Sequence, residues 1–136
     1  MAYDHDKQVV DSGQVAFDAT ADNLASFVPG TIPMIIRRAT AVITVATTVS
    51  DTVIDIKRRP TAGSVTGEVV IDTITVPFGA QGKATTTPAL DTEIKPGEEL
   101  VAEVTSASTA GDGHIVYELE PRWEEVGNNT NLTETA

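Results

Sequence analysis

The acids carry most of the reactive potential in this 136-residue chain, because other reactive groups are scarce. There are 20 Asp and Glu, two histidines (His5 and His114) and no cysteine. Thiolate nucleophiles, disulfides and thiolate metal sites are therefore excluded. A multi-histidine metal centre has too few ligands. A glycosidase needs two facing carboxyl groups in a cleft, whereas these acids alternate with apolar residues or sit in turns, the pattern of a solvated face. Calcium needs six or more oxygens from closely spaced ligands. Asp112 between Gly111 and Gly113, and Asp51 with Asp55, come nearest, and neither matches an EF-hand loop. His114 opens a strand with no nucleophile at hand, and no Gly-x-Ser-x-Gly elbow is present. Gly111-x-Gly113 is too short for a dinucleotide fingerprint and precedes a strand. No catalytic residue, metal ligand or cofactor is expected.

The basic residues say more. Arg37-Arg38 and Lys57-Arg58-Arg59 hold five of the nine positive charges, each cluster near a strand end. Two readings are open. The clusters either pair with the surrounding acid at solvated strand ends, or meet an acidic partner through guanidinium forks. Trp123, the one tryptophan, ends the last strand and either closes the core or anchors an interface. The net charge of −11 repels phosphate and anionic lipid, so neither nucleic acid nor membrane is an expected partner. It also keeps free copies apart in solution. No apolar run approaches the roughly 20 residues of a membrane span. The polar start, Met1-Ala2-Tyr3-Asp4-His5-Asp6, lacks signal-peptide features. The acceptor patterns at Asn128-Asn129-Thr130 and Asn131-Leu132-Thr133 are therefore discounted.

These side chains sit on strands. Aromatic content is 4%, and abundant Val, Ile and Thr suit pleated, half-buried surfaces. Leu100, Ala102 and Val104 share one phase, with Glu99 and Glu103 on the other. Ile115, Tyr117 and Leu119 alternate in the same way with His114, Glu118 and Glu120. Ile54 and Ile56 point inward, with Asp55 and Lys57 on a wet face. The tract 32–48 is apolar or small on both faces, which suits a central strand covered on both sides. Val69 to Pro77 changes phase, so a bulge is expected near Asp72-Thr73. Lys83 to Thr92 is a Thr-rich loop or edge strand. Ala21 to Val28 is the one plausible helical turn, with Asp22 as N-cap.

The expectation is an all-β antiparallel β-sandwich, jelly-roll-like, with extended termini. Residues 1–12 form an arm or edge strand, 13–126 the sandwich and 127–136 a polar tail. The expected core contains Ile43, Val45, Ile54, Ile56, Leu100, Val104, Ile115, Tyr117 and Leu119.

Several segments together resemble a known family. They are an acidic N-terminus, Phe27 to Gly30, Lys57-Arg58-Arg59-Pro60-Thr61-Ala62-Gly63, Lys95-Pro96-Gly97-Glu98-Glu99, Tyr117-Glu118-Leu119-Glu120-Pro121-Arg122, and an Asn-rich tail from Asn128 to Asn131. In style and order they are similar to the head decoration, or cement, proteins of tailed bacteriophages. The resemblance implies a β-rich, non-enzymatic virion protein made in the host cytoplasm. Such a protein binds the outside of the capsid, with the major capsid protein and itself, as a homotrimer, as partners. The candidate capsid or subunit contacts are Arg37, Arg38, Lys57, Arg58, Arg59 and Trp123. A carbohydrate-binding or adhesion β-sandwich module of a phage tail or spike is the alternative. Sugar platforms need exposed aromatics, of which this chain has few. A small hydrolase with an acidic pair ranks third.

Overall fold

Alternation of branched aliphatics with polar residues commits most of the chain to strands. The computed structural model describes residues 7–79, 82 and 84–122, and among these there is no helix. Ten strands follow in order. They are β1 (Gln8–Asp11), β2 (Val15–Ala16), β3 (Ala21–Phe27), β4 (Met34–Val45), β5 (Thr52–Arg59), β6 (Val69–Val76), β7 (Ala84–Thr86), β8 (Thr92–Ile94), β9 (Glu99–Ser106) and β10 (Asp112–Pro121).

Two antiparallel sheets make a sandwich. The first runs β1-β10-β4-β7, with β2 also on β10 and β8 also on β4; the second runs β3-β9-β5-β6. The pairing is nested. First strands meet last (β1 and β2 with β10), then β3 with β9, β4 with β7 and β8, and β5 with β6. This nesting is the pattern of a long hairpin folded over on itself.

The core is aliphatic and lies between the sheets. Ile36, Ala39, Ala41, Ile43, Ile54, Ile56, Leu100, Ala102, Val104, Ile115, Tyr117 and Leu119 are buried there, with Phe17 at one end. Gly113 pairs with Ile43 but Asp112 with Val45, so Thr44 is an extra residue and Val45 stands opposite an outward position of β10. It is 45% exposed, not part of the core as expected. The outer face of β4 is half-buried at Thr40 and Val42 and exposed at Thr44, so its cover is thinner than the two-sided pattern suggested.

Bulges also reset the phase earlier in β4 and in β6. Opposite β10, Glu118 pairs with Arg38 but Leu119 pairs with Ile36, leaving Arg37 as the extra residue. Buried positions therefore switch from Met34 and Ile36 to Ala39, Ala41 and Ile43, and both arginines face outward. In β6 the extra residue is Ile71, since Ile56 pairs with Asp72 and Lys57 with Val70. The bulge lies one residue before the expected Asp72-Thr73 step.

Residues 21–27 are strand β3, not a helical turn. Asn23 and Ala25 adopt positive φ, and only Ala21, Leu24 and Phe27 register with β9, opposite Val104, Ala102 and Leu100. The Thr-rich segment contributes the short strand β7, and β8 begins at its last residue, Thr92.

The edges of the sheets are blunt. β1 and β7 have four and three residues. β3 is twice interrupted in register, and β6 carries a bulge with Asp72 opposite buried Ile56. Short edges, bulges and inward charges are the usual devices against edge-to-edge pairing.

Candidate interaction surfaces

The outer phase of β5 and β9 carries an alternating charge pattern. Asp55 faces Glu103, Lys57 faces Val101 and Arg59 faces Glu99. Residues from β3 and the 60–68 loop close over this face. Lys57 and Arg59 are each only 2% exposed, and Val101 is fully buried.

Lys57 Nζ lies 2.8 Å from Glu103, 3.1 Å from Glu68 and 3.2 Å from Asp22. Arg59 donates from Nε to Glu68 at 3.0 Å, from an Nη to Asn23 at 2.6 Å, and reaches Asp22 and Glu99 at 3.2 and 3.3 Å. Ser26 donates to Glu99, and the Gly63 N–H donates to Glu99 at 2.9 Å. β3 is thus fastened by side chains where its backbone ladder is sparse.

The electrostatics are those of satisfied pairing. Arg59 and Lys57 hold the Glu68 pKa below the usual carboxylate range. Burial works against ionisation of Asp22 and Glu99. The N–H of Asn23 with Lys57 for Asp22, and Ser26, the Gly63 N–H and Arg59 for Glu99, more than offset it, and both pKa values are lowered. Burial likewise opposes the charge on Lys57, but its three carboxylates raise its pKa well above the ordinary lysine value.

Asp22, Glu68 and Glu103 bring carboxylate oxygens within 4.8 Å of one another, a spacing that could suit a cation. The Lys57 ammonium bonds all three, so the compensating positive charge is the chain's own.

The expected contact residues therefore separate. Lys57 and Arg59 are buried internal counter-ions, not a wet strand face. Glu99, expected outward and wet, is buried as the mate of Arg59. Arg58 lies on the core-facing phase opposite Leu100, and its Nε is buried without a hydrogen-bond partner among the described residues. Arg37 is tied to Asp91 and, at 3.2 Å, to Glu120. Arg38 is exposed and has no ion pair among the described residues. Trp123 and the tail from 127 lie outside the described residues. Tyr117 Oη is also buried, with no hydrogen-bond partner among the described residues. Burial and the nearby Glu99 charge push its pKa far up, which keeps it a neutral phenol.

The two ends of the sandwich differ. At one end the start of β1, the start of β4 and the end of β10 meet, beside an open recess of roughly 330 Å³ lined by Phe27, Pro29, Ile32, Met34 and Pro121 among others. Phe27 pairs with Leu100, Arg59 with Glu99, and the Ala62 N–H donates to the Gly97 carbonyl at 2.9 Å. The segments 27–30, 57–63, 95–99 and 117–122 therefore converge at this end.

The other end is built from segments 15–20, 45–52, 76–79 and 106–113. The Gly79 N–H donates to the Thr47 carbonyl at 2.7 Å, and the Phe78 N–H to the Asp51 carboxylate at 3.0 Å. Beneath them Thr52 Oγ1 donates to the Phe17 carbonyl at 2.9 Å, and buried Thr47 and Ser108 close the layer. Val49 and Phe78 stand above it, 77% and 60% exposed. Sequence reasoning missed this surface. The available signal was an apolar residue in a polar turn, at Val49 and again at Phe78.

No family model and no curated protein matches the chain. Among solved structures, a pilus protein of Bacillus endospore appendages aligns over 85% of this chain and 88% of its own, at 20% identity and a TM-score of 0.34. The tumour necrosis factor Eiger from S. frugiperda aligns over 94% and 91%, at 11% identity and a TM-score of 0.39. At these values neither assigns a function to this chain.

Proposed function

We propose that this chain is a non-enzymatic virion structural protein that binds the outside of a bacteriophage capsid and stabilises it. The observation that carries the reading is that four of the segments resembling cement proteins, 27–30, 57–63, 95–99 and 117–122, come together at one end of the sandwich. Their internal bonds, Arg59 with Glu99 and Ala62 with Gly97, make them a structural lock.

Two physical features support it. The charge of −11 keeps free particles, trimers included, from aggregating at high concentration. Blunt sheet edges stop the same particles from pairing strand to strand. A cement protein needs both properties before it finds a capsid. A homotrimer would make attachment multivalent and raise avidity without new contacts.

The test is co-sedimentation of the purified chain with empty heads assembled from the capsid protein of the same genome. Saturation at a fixed ratio per capsomer, with heads more resistant to heat, is the expected result. No binding at any ratio refutes the reading.

A further inference from the structure

The segments that carry the family resemblance are consumed in internal bonds, and so are most of the clustered cations. A partner contact must be sought elsewhere, and the opposite end of the sandwich offers one. Val49 has φ of 76°, the left-handed region that a β-branched side chain adopts only at a steric penalty. A chain under no other demand would place Gly or Asn there. Here the strained backbone holds an isopropyl group out in solvent, 77% exposed. Strain of this kind, once observed, points to function.

Phe78 stands on the neighbouring loop. The bonds from Phe78 N–H to Asp51 and from Gly79 N–H to Thr47 fix the two loops to each other. The Thr109 N–H adds a tie to the Thr48 carbonyl at 3.2 Å. The aromatic ring and the valine are thus displayed on a doubly tethered platform, with little ordering left to do on binding. Rigid apolar anchors of this kind dominate binding energy when they enter a partner pocket.

The charges around them select the partner. Among the described residues the four segments of this end contain Asp18, Asp51 and Asp112 and no Lys or Arg. A second copy would bring the same acids and be repelled.

We propose that the Val49–Phe78 tip is the surface that anchors the chain to its partner, entering an apolar recess rimmed by Lys or Arg on the capsid protein. The identity of the partner rests on the decoration reading above. The tip itself rests on exposure, strain and tethering.

Two substitutions separate anchoring from folding. Val49→Gly relieves the left-handed strain while deleting the apolar group, so the variant should be at least as stable as wild type yet bind heads on the order of tenfold more weakly. Phe78→Ala removes an exposed ring and should weaken binding by a similar factor without moving the melting temperature. Asp51→Asn keeps the acceptor for the Phe78 N–H but removes the charge, and should flatten the salt dependence of association.

Binding is read by co-sedimentation with empty heads, and stability by thermal circular dichroism. If wild type binds and the folded Val49→Gly/Phe78→Ala double variant binds equally well, the tip proposal is overturned while the decoration reading stands. If wild type does not bind, the decoration reading fails and takes the assigned partner with it. A Val49→Gly variant less stable than wild type overturns the strain argument, whatever the binding result.

Discussion

Replacing Lys57 with Met tests whether the cluster across β5 and β9 holds the sandwich together. Methionine keeps most of the stem beside buried Val101, so packing changes little and the lost group is the ammonium. Three carboxylates then remain on one side of it, each within 3.3 Å of the vanished charge. Removing one member of a buried ion cluster costs about 3–5 kcal/mol. The carboxylates are 27–34% exposed, and Arg59 still contacts Asp22 and Glu68, so solvent and the remaining cation soften the loss. We expect about 3 kcal/mol, the low end of that range. With a urea slope of about 1–3 kcal/mol per molar, the unfolding midpoint should fall by about 1–3 M.

A pH signature accompanies the loss. In the wild type the pKa values of Asp22, Glu68 and Glu99 are depressed in the folded state. Their contribution is therefore fully present above the unfolded carboxylate range, about 4, and is lost as pH falls through the folded values. In Lys57→Met the crowded acids take up protons at higher pH, and protonation relieves their repulsion. The gap between the two proteins should therefore be widest at pH 7 and narrow as pH falls toward about 4. Urea titrations followed by circular dichroism at both pH values decide the matter. An unchanged midpoint at pH 7, or a gap that stays constant with pH, would refute the claim that Lys57 neutralises these acids.

Three further outcomes follow from the geometry. A Cβ on Gly113 would lie 2.2 Å from the Val42 carbonyl oxygen and 2.5 Å from the Phe17 ring, so Gly113→Ala should lower the melting temperature by several degrees, at about 1–3 kcal/mol for an overpacked site. Arg38→Glu and Arg59→Glu should diverge in the same assay: the exposed residue within about 0.5 kcal/mol of wild type, the buried one at a loss of at least about 3 kcal/mol, since it adds a carboxylate where those of Asp22, Glu68 and Glu99 already meet. Sedimentation of the free protein should give a homotrimer, and a monomer at tens of micromolar, roughly a concentration where tight interfaces are saturated, would count against that assembly.

Alternation was enough to place the centre of the sandwich. Ile54, Ile56, Leu100, Val104, Ile115, Tyr117 and Leu119 are all buried where a period of two puts them. β3 was not legible in this way. Its residues, Ala-Asp-Asn-Leu-Ala-Ser-Phe, have weak strand preference, and the strand is held by ion pairs to residues 35 or more positions away. Phase conflict was the sequence's marker for bulges. It flagged β6, and the same conflict between Met34 and Ile36 on one parity and Ala39 and Ala41 on the other marks Arg37-Arg38. The outward phase of Lys57 and Arg59 was also readable. That β3 and the 60–68 loop close over that phase was not, because cover is a tertiary property. The one local hint was matched spacing: cations two apart on β5 and acids four apart at Glu99 and Glu103.

That cover changes what scarce positive charge means in an acidic chain. A cation on a strand end invites the reading of a partner contact, yet with 20 acids and nine Lys and Arg each cation is surrounded by internal suitors. Those in the best geometry are consumed, as Lys57, Arg59 and Arg37 are, and what remains outside still carries a large excess of acid. Such a surface cannot find an acidic partner by charge. It can find a basic one, and steering then favours encounter while a small apolar anchor holds on. The division of labour between the two ends of this sandwich has that form. One end is locked by its own ion pairs beside the start of β1 and the end of β10, and the other sets two rigid apolar side chains among carboxylates.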